Sequence, residues 1–229
     1  MNKKVCAVIP AYNEEKTIGE VVRNCKKYID TIFVVDDGSS DGTAEIARQA
    51  GAEVITHKIN RGVGAAQRTG YRVAIMNGFD YIVQIDADGQ HNPKYIPEML
   101  KAAFDGADIV IASRFRNNSY KNFSFVRRIG VSFFSKVVSL FGGIEVSDVT
   151  SGFRVYRAEA LKRIGRLPDK NWAVEQTLEA AIKGLKIAEV SVEMPPRKIG
   201  ESQFSFGTFL RYPWRALESI LRIAIFRRD

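Results

Sequence analysis

The chain has 229 residues, a formal net charge of +8, 45% hydrophobic and 26% charged residues. That supports one well-buried globular domain, or at most two small ones, and the positive balance suits an anionic partner without choosing among nucleic acid, phosphorylated substrate and membrane surface. Two cysteines, Cys6 and Cys25, give neither a disulfide framework nor metal-type spacing, which makes a reducing cytoplasm the expectation, and no window holds the roughly 18 uncharged apolar residues of a spanning helix.

Residues 4–10 form a short apolar run closed by Pro10 and read as a buried strand. Residues 14–28 carry Ile18, Val21, Val22 and Cys25 at helical spacing. Residues 31–35 read as a second strand, 43–50 as a helix, 53–56 as a third strand, 64–77 as a helix and 81–85 as a fourth strand. A helix with Pro at its first turn follows at 93–104, then a fifth strand at 108–112. Strands alternating with helices predict an α/β fold, a mostly parallel sheet flanked by helices. The second half is less regular: an amphipathic helix at 123–141, a turn and strand at 148–156, a β-branched run at 186–194 stopped by Pro195-Pro196, and a last amphipathic helix at 207–226.

In such sheets ligands bind at the carboxyl ends of strands, and three chemically loaded loops fall there. Pro10-Ala11-Tyr12-Asn13-Glu14 ends the first strand: Tyr12 is placed to stack on a base, Glu14 to accept from a ribose or base donor, and Asn13 to cap the next helix. Asp36-Asp37-Gly38-Ser39-Ser40-Asp41-Gly42-Thr43 ends the second. Adjacent carboxylates repel unless donors, a base or a metal satisfy them, although Asp41 or Thr43 as a helix cap is an equally good account of part of this turn. Asp86-Ala87-Asp88-Gly89-Gln90 ends the fourth. Its alternating carboxylates and the Gln90 amide oxygen are hard ligands suited to Mg2+ or Mn2+. One acidic turn is weak evidence; two acidic strand ends at one sheet edge are stronger. The Gly-rich segment 60–66 lacks the spacing and lysine of a phosphate loop. His57 reads as a surface or loop residue, and His91, next to the acidic cluster, is a weaker candidate to assist the metal than the carboxylates.

Together, PAYNEE, DDGSSDGT and DADGQH in this order resemble the inverting family 2 glycosyltransferases of the GT-A fold, a nucleotide-diphospho-sugar transferase (Rossmann-like) architecture. Within that family the chain is most similar to dolichyl-phosphate mannose and glucose synthases. Ser113-Arg114, Thr150-Ser151-Gly152-Phe153-Arg154 and the segment from Arg197 to Ser202 extend the likeness over about residues 4–205. The resemblance implies that Pro10, Tyr12, Glu14, Asp37, Asp86, Ala87 and Arg197 hold the donor nucleotide. It implies that Asp86, Asp88 and Gln90 serve the metal and diphosphate, that Arg114, Arg128, Ser132 and Ser202 meet the acceptor phosphate, and that Asp88 and Arg114 belong to the catalytic set. Gln203 departs from the lysine usual after that serine, and many relatives carry membrane helices after this region that the sequence lacks.

The expected reaction moves a hexose from GDP-mannose or a UDP-sugar to a polyprenyl or dolichyl phosphate, with Mn2+ or Mg2+ and inversion. An already ionised acceptor needs no strong base; a hydroxyl acceptor would, and Glu175 or Asp148 would then supply it. A sugar nucleotidyltransferase would carry a Gly-rich basic loop where the acidic loop 11–14 stands, and a nucleic-acid binder would show a basic-aromatic array that is missing. The expected domains are a glycosyltransferase domain over 1–206 and an amphipathic helix over 207–229. That helix carries Arg211, Arg215, Glu218 and Arg222 on one face and Trp214, Leu217, Leu221 and Ile225 on another, and lies either on the cytoplasmic face of a membrane or on the protein's own core or a dimer partner.

Overall fold

The computed structural model describes residues 3–115, 125–164 and 172–194. Four apolar runs form parallel strands: β1 (Val5–Ala11), β2 (Thr31–Asp36), β3 (Glu53–Thr56) and β4 (Tyr81–Gln84), lying in the order β3-β2-β1-β4. The helices between them are α1 (Ile18–Cys25), α2 (Thr43–Gln49) and α3 (Val63–Met76). Then come α4 (Ile96–Phe104), β5 (Ile109–Ser113), α5 (Phe125–Gly142), β6 (Arg154–Arg157), α6 (Ala158–Ile164), α7 (Trp172–Ile182) and β7 (Ile187–Ser191). They extend one seven-stranded sheet as β4-β6-β5-β7. β5 and β7 are parallel, whereas β6 runs antiparallel to both of its neighbours. The mostly parallel α/β architecture is as expected; the reversed strand inside it is the part that alternation of elements does not reveal.

Local differences have local causes. The helix expected over 14–28 begins only at Ile18, because Thr17 and Ile18 donate to the Glu14 carbonyl in a preceding turn. The helix expected at 93–104 opens as a 3-10 turn, Pro93–Tyr95, capped by the Asn92 side chain on the Lys94 N–H. α7 is not among the expected elements: its polar residues Glu175, Gln176, Thr177 and Glu179 are buried together with the apolar ones, so no contrast between an apolar and a solvent-facing side marks a helical period.

The sheet separates two apolar layers. Cys6, Val8, Phe33 and Ile82 face α3, and Ala7, Ile9, Ile32, Val34 and Val83 face the other side, the alternation that a two-sided strand requires. Both cysteines are fully buried, and burial pushes their thiols up, that of Cys25 to about 12, so neither is a reactive thiolate or ready ligand. α3 approaches β1 so closely that a Cβ on Gly70 would collide with Val8 Cγ1. Gly70→Ala should therefore destabilise the fold by about 1–3 kcal/mol through overpacking, read as a lowered midpoint in denaturant melts; an unchanged midpoint would show that α3 can lift off the sheet at no cost.

Candidate active site

The ends of β1, β2 and β4 bring the three loaded loops to one sheet edge. The first two are stitched together. Asn13, the one non-glycine residue with positive φ (54°) among the described residues, donates its N–H to the Ser39 hydroxyl and accepts from the Ser40 N–H. It is therefore not the expected cap of α1, where Thr17 stands. Glu14 donates its N–H to the Thr43 hydroxyl; the N-cap of α2 is Gly42 rather than Asp41 or Thr43, and Asp41, one residue before it, accepts from the Thr43 N–H at 3.0 Å. Pro10 is buried beneath these loops and Tyr12 is exposed above them.

Asp36 and Asp37 are both buried and resolve their repulsion separately. Asp36 accepts from the Ser39 N–H. Asp37 takes the N–H groups of Arg61 (3.0 Å) and Gly62 (2.7 Å) at the start of α3, and His57 Nδ1 at 2.6 Å. An ionised carboxylate only accepts, so His57 Nδ1 carries the proton; Nε2 meets the Thr69 hydroxyl at 2.9 Å. His57, read from sequence as a surface or loop residue, is in a loop, but its ring is buried and ties Thr69 of α3 to Asp37. Gly38 (φ 76°) admits the same segment, since a Cβ there would meet the Ile59 carbonyl carbon at 2.7 Å.

In the third loop the Asp86 side chain is 37% exposed and Ala87 is buried. Asp88 accepts from the Gln90 N–H, and Gly89 takes a φ of 73°. The Asp86 N–H donates to His91 Nδ1. Burial holds the His91 imidazole at a pKa of about 4, so it is neutral with its proton on Nε2, and it stacks on Phe153. His91 thus shapes the turn. The antiparallel register that pairs Gln84 with Arg154 places Gly152 opposite Asp86. A Cβ on Gly152 would lie 2.5 Å from Asp86 Oδ2, so glycine leaves the space that the carboxylate occupies. Among the described residues no three His, Cys, Asp or Glu side chains form a closed cage. Two carboxylates and an amide instead fit a hard cation whose remaining ligands are diphosphate oxygens and water.

Arg114 is buried against Asp148, with Nε and one terminal nitrogen 2.6 and 2.7 Å from the carboxylate and a further bond to the Thr150 hydroxyl. Burial alone would raise the Asp148 carboxyl, but Arg114 and Thr150 outweigh it and hold it below the usual carboxylate range. Glu189 on β7 accepts from the N–H groups of Ser147 and Asp148 and so fixes this turn. Ser132 is exposed and Arg128 half-buried on α5. Glu175 is buried in the first turn of α7. Arg197, Ser202, Gln203 and the helix expected at 207–226 lie outside the described residues. Sequence reading missed His57, Gly152 as the partner surface of Asp86, and Glu189. Only Gly152, inside a singled-out motif, carried a signal.

The model of the family described as glycosyl transferase family 2 matches residues 6–165. The chain is 34% identical to the UDP-N-acetylglucosamine–dolichyl-phosphate N-acetylglucosaminyltransferase of Methanococcus voltae, over 84% of this chain and 86% of that one. It is 32% identical to the undecaprenyl-phosphate mannosyltransferase of Micrococcus luteus, over 89% and 88%. Glucosyl-3-phosphoglycerate synthase from Mycobacterium tuberculosis, solved with Mn2+, UDP and phosphoglyceric acid, shares the fold with a TM-score of 0.75 at 20% identity, over 98% of this chain and 79% of that one. The acidic strand ends, the GT-A sheet and the match across most of its length make this chain a glycosyltransferase that belongs to glycosyl transferase family 2.

Proposed function

We propose that the enzyme moves a hexose from a nucleotide sugar to a polyprenyl phosphate, inverting the anomeric centre. The observation that carries the reading is the Asp86 carboxylate seated on Gly152 with Asp88 beside it at the sheet edge, and the names of the two relatives supply the acceptor class. Pro10, Tyr12, Glu14, Asp37 and Ala87 bound the donor nucleoside, and Asp86, Asp88 and Gln90 hold Mn2+ or Mg2+ on its diphosphate. A bound divalent ion supplies charge stabilisation to the departing diphosphate. The chain orients the loop and its carboxylates through Gly152 beside Asp86, His91 on the Asp86 N–H and the Gln90 N–H on Asp88. Arg114, Arg128 and Ser132 lie on the acceptor side, with Arg197 and Ser202 completing the phosphate contacts.

A phosphate acceptor is ionised near neutral pH and attacks without a general base. Asp148 accords with that: its carboxylate is enclosed by Arg114 and Thr150 and held below the usual carboxylate range, which favours a role in orienting Arg114 over that of proton acceptor. Transfer to a hydroxyl remains a second reading because Glu175 is buried in the turn of α7 that packs on Arg154, two residues from Gly152. Product formation with a polyprenyl phosphate but not with the matching polyprenol separates the two.

Residues 1–206 make the catalytic domain in this reading, and 207–229 an interfacial helix that brings the enzyme to the cytoplasmic face of a membrane. α5 supports surface contact, exposing Ile129, Phe133, Leu140 (79%) and Phe141, and no helix among the described residues is long and apolar enough to cross a membrane.

Asp88→Ala and Gly152→Ala should each lower metal-dependent turnover by about 100-fold or more. Titration calorimetry should show weaker Mn2+-dependent binding of the nucleoside diphosphate; full turnover in Asp88→Ala would sink the site assignment. Asp148→Ala should cost about 3–5 kcal/mol, the expected loss when a buried ion pair loses one partner. Because the folded Asp148 pKa is depressed, the wild-type contribution is complete above about pH 4 and is lost as pH falls through the lower folded value, so the stability gap between variant and wild type should close only in strong acid. The full chain should bind anionic vesicles less as salt rises; absence of binding at low salt would remove the membrane proposal.

A further inference from the structure

A cavity of about 360 Å3 opens between α5 and the turn that precedes Asp148, lined by Phe115, Ser132, Ser135, Lys136, Ser139 and Ser147, with Val146 beside them. That volume falls in the range of small-ligand sites, roughly 300–1,000 Å3. Phe115 follows Arg114 directly, so the cavity adjoins the acceptor side of the site. Two of its serines are committed to the fold. Ser135 donates to the Ser147 carbonyl, and the Ser147 hydroxyl is held by Glu189 and Ser113. Ser132 and Lys136 are instead exposed, one turn apart on α5 and continuing the line from Arg128. Ser139 accepts from the Val146 N–H at 3.4 Å and keeps its own O–H to donate.

The electrostatics favour an anion. Among the described residues no carboxylate lies within ion-pair distance of the Lys136 ammonium. The two carboxylates behind the cavity wall are already engaged, Asp148 by Arg114 and Glu189 by Ser147 and the Asp148 N–H. Phe115 and Val146 add apolar wall, which suits the first carbons of an organic phosphate better than a bare ion.

We propose that Lys136, with the hydroxyls of Ser132 and Ser139, forms the cavity that takes the phosphate of the lipid acceptor. This rests on the phosphate-acceptor reading above, and Lys136 adds to it a residue that sets the acceptor's charge requirement. A phosphate monoester carries nearly two negative charges at pH 7, so an ammonium and two hydroxyl donors match its needs.

The test measures binding of citronellyl phosphate, citronellol and inorganic phosphate to the full chain without donor, in wild type, Lys136→Gln and Lys136→Arg, alongside steady-state transfer. Citronellyl phosphate should bind tightest. Lys136→Gln should weaken it about tenfold, as expected for loss of a charge-assisted hydrogen bond, and raise the acceptor KM with the donor KM unchanged, while Lys136→Arg restores most of the affinity. Equal binding by Lys136→Gln and wild type overturns the proposal, as does equal binding of citronellyl phosphate and citronellol. Inorganic phosphate binding as tightly as citronellyl phosphate overturns the lipid assignment. A wild type that binds citronellyl phosphate through Lys136 yet glycosylates no polyprenyl phosphate upholds the cavity and overturns the functional reading instead.

Discussion

The reversed strand β6 lies between β4 and β5, and its pairing with β4 sets Gly152 opposite Asp86. Much of the interior serves to hold that juxtaposition. Gln84 donates to the Gly152 carbonyl at 2.8 Å and accepts from the Tyr71 hydroxyl. Arg154, fully buried, gives its donors to the carbonyls of Val149, Ser151 and Ala173 and to the side chains of Gln176 and Thr177. One guanidinium thereby ties the segment carrying Gly152 to the first turn of α7. A buried cation that meets only neutral acceptors is costly unless its field has a use. Here its five neutral acceptors join the segment that carries Gly152 to α7, so the charge serves to lock that junction.

The Arg114 side of the site follows the same logic with opposite charges. Arg114 is held by Asp148, and the turn bearing Asp148 is held by Glu189 through Ser147. Each carboxylate is engaged by a cation or by backbone donors, leaving the pair close to neutral and rigid. A rigid arginine aimed by a buried partner suits recognition of a planar or tetrahedral anion, because little side-chain entropy is left to lose on binding. A base for a hydroxyl acceptor needs a carboxylate with lone pairs still available, and Asp148 has spent its own.

Much of this was legible in the chain. β1 to β4 and the helices between them follow from short β-branched runs alternating with helical spacing, and the three loaded loops follow from Pro10, Asp36-Asp37 and Asp86-Asp88 standing at strand ends. The rest was not, for particular reasons. Four residues, Arg154–Arg157, are too few to announce a strand's direction. α7 hides its period because both its faces are buried. His57 does not read as a buried residue because its partner, Asp37, lies twenty positions upstream, just past the end of β2. The pairing of Arg114 with Asp148 spans thirty-four positions, and no local pattern encodes it.

The engagement of Asp37 also bears on how a nucleoside is recognised. Its oxygens already take His57, Arg61 and Gly62, so its first service is to fix the start of α3 against the end of β2. On the proposed reading Asp37 then acts on the donor largely through the shape it imposes: a floor of buried Pro10, a loop edge set by Gly38 and Ile59, and an exposed Tyr12 ring above. Such a site grips a base by stacking and backbone contact more than by a dedicated carboxylate. Stacking tolerates different bases, since each has a π-face, so the choice between a guanine and a uracil nucleotide falls to the width of this floor and the loops stitched over it by Asn13.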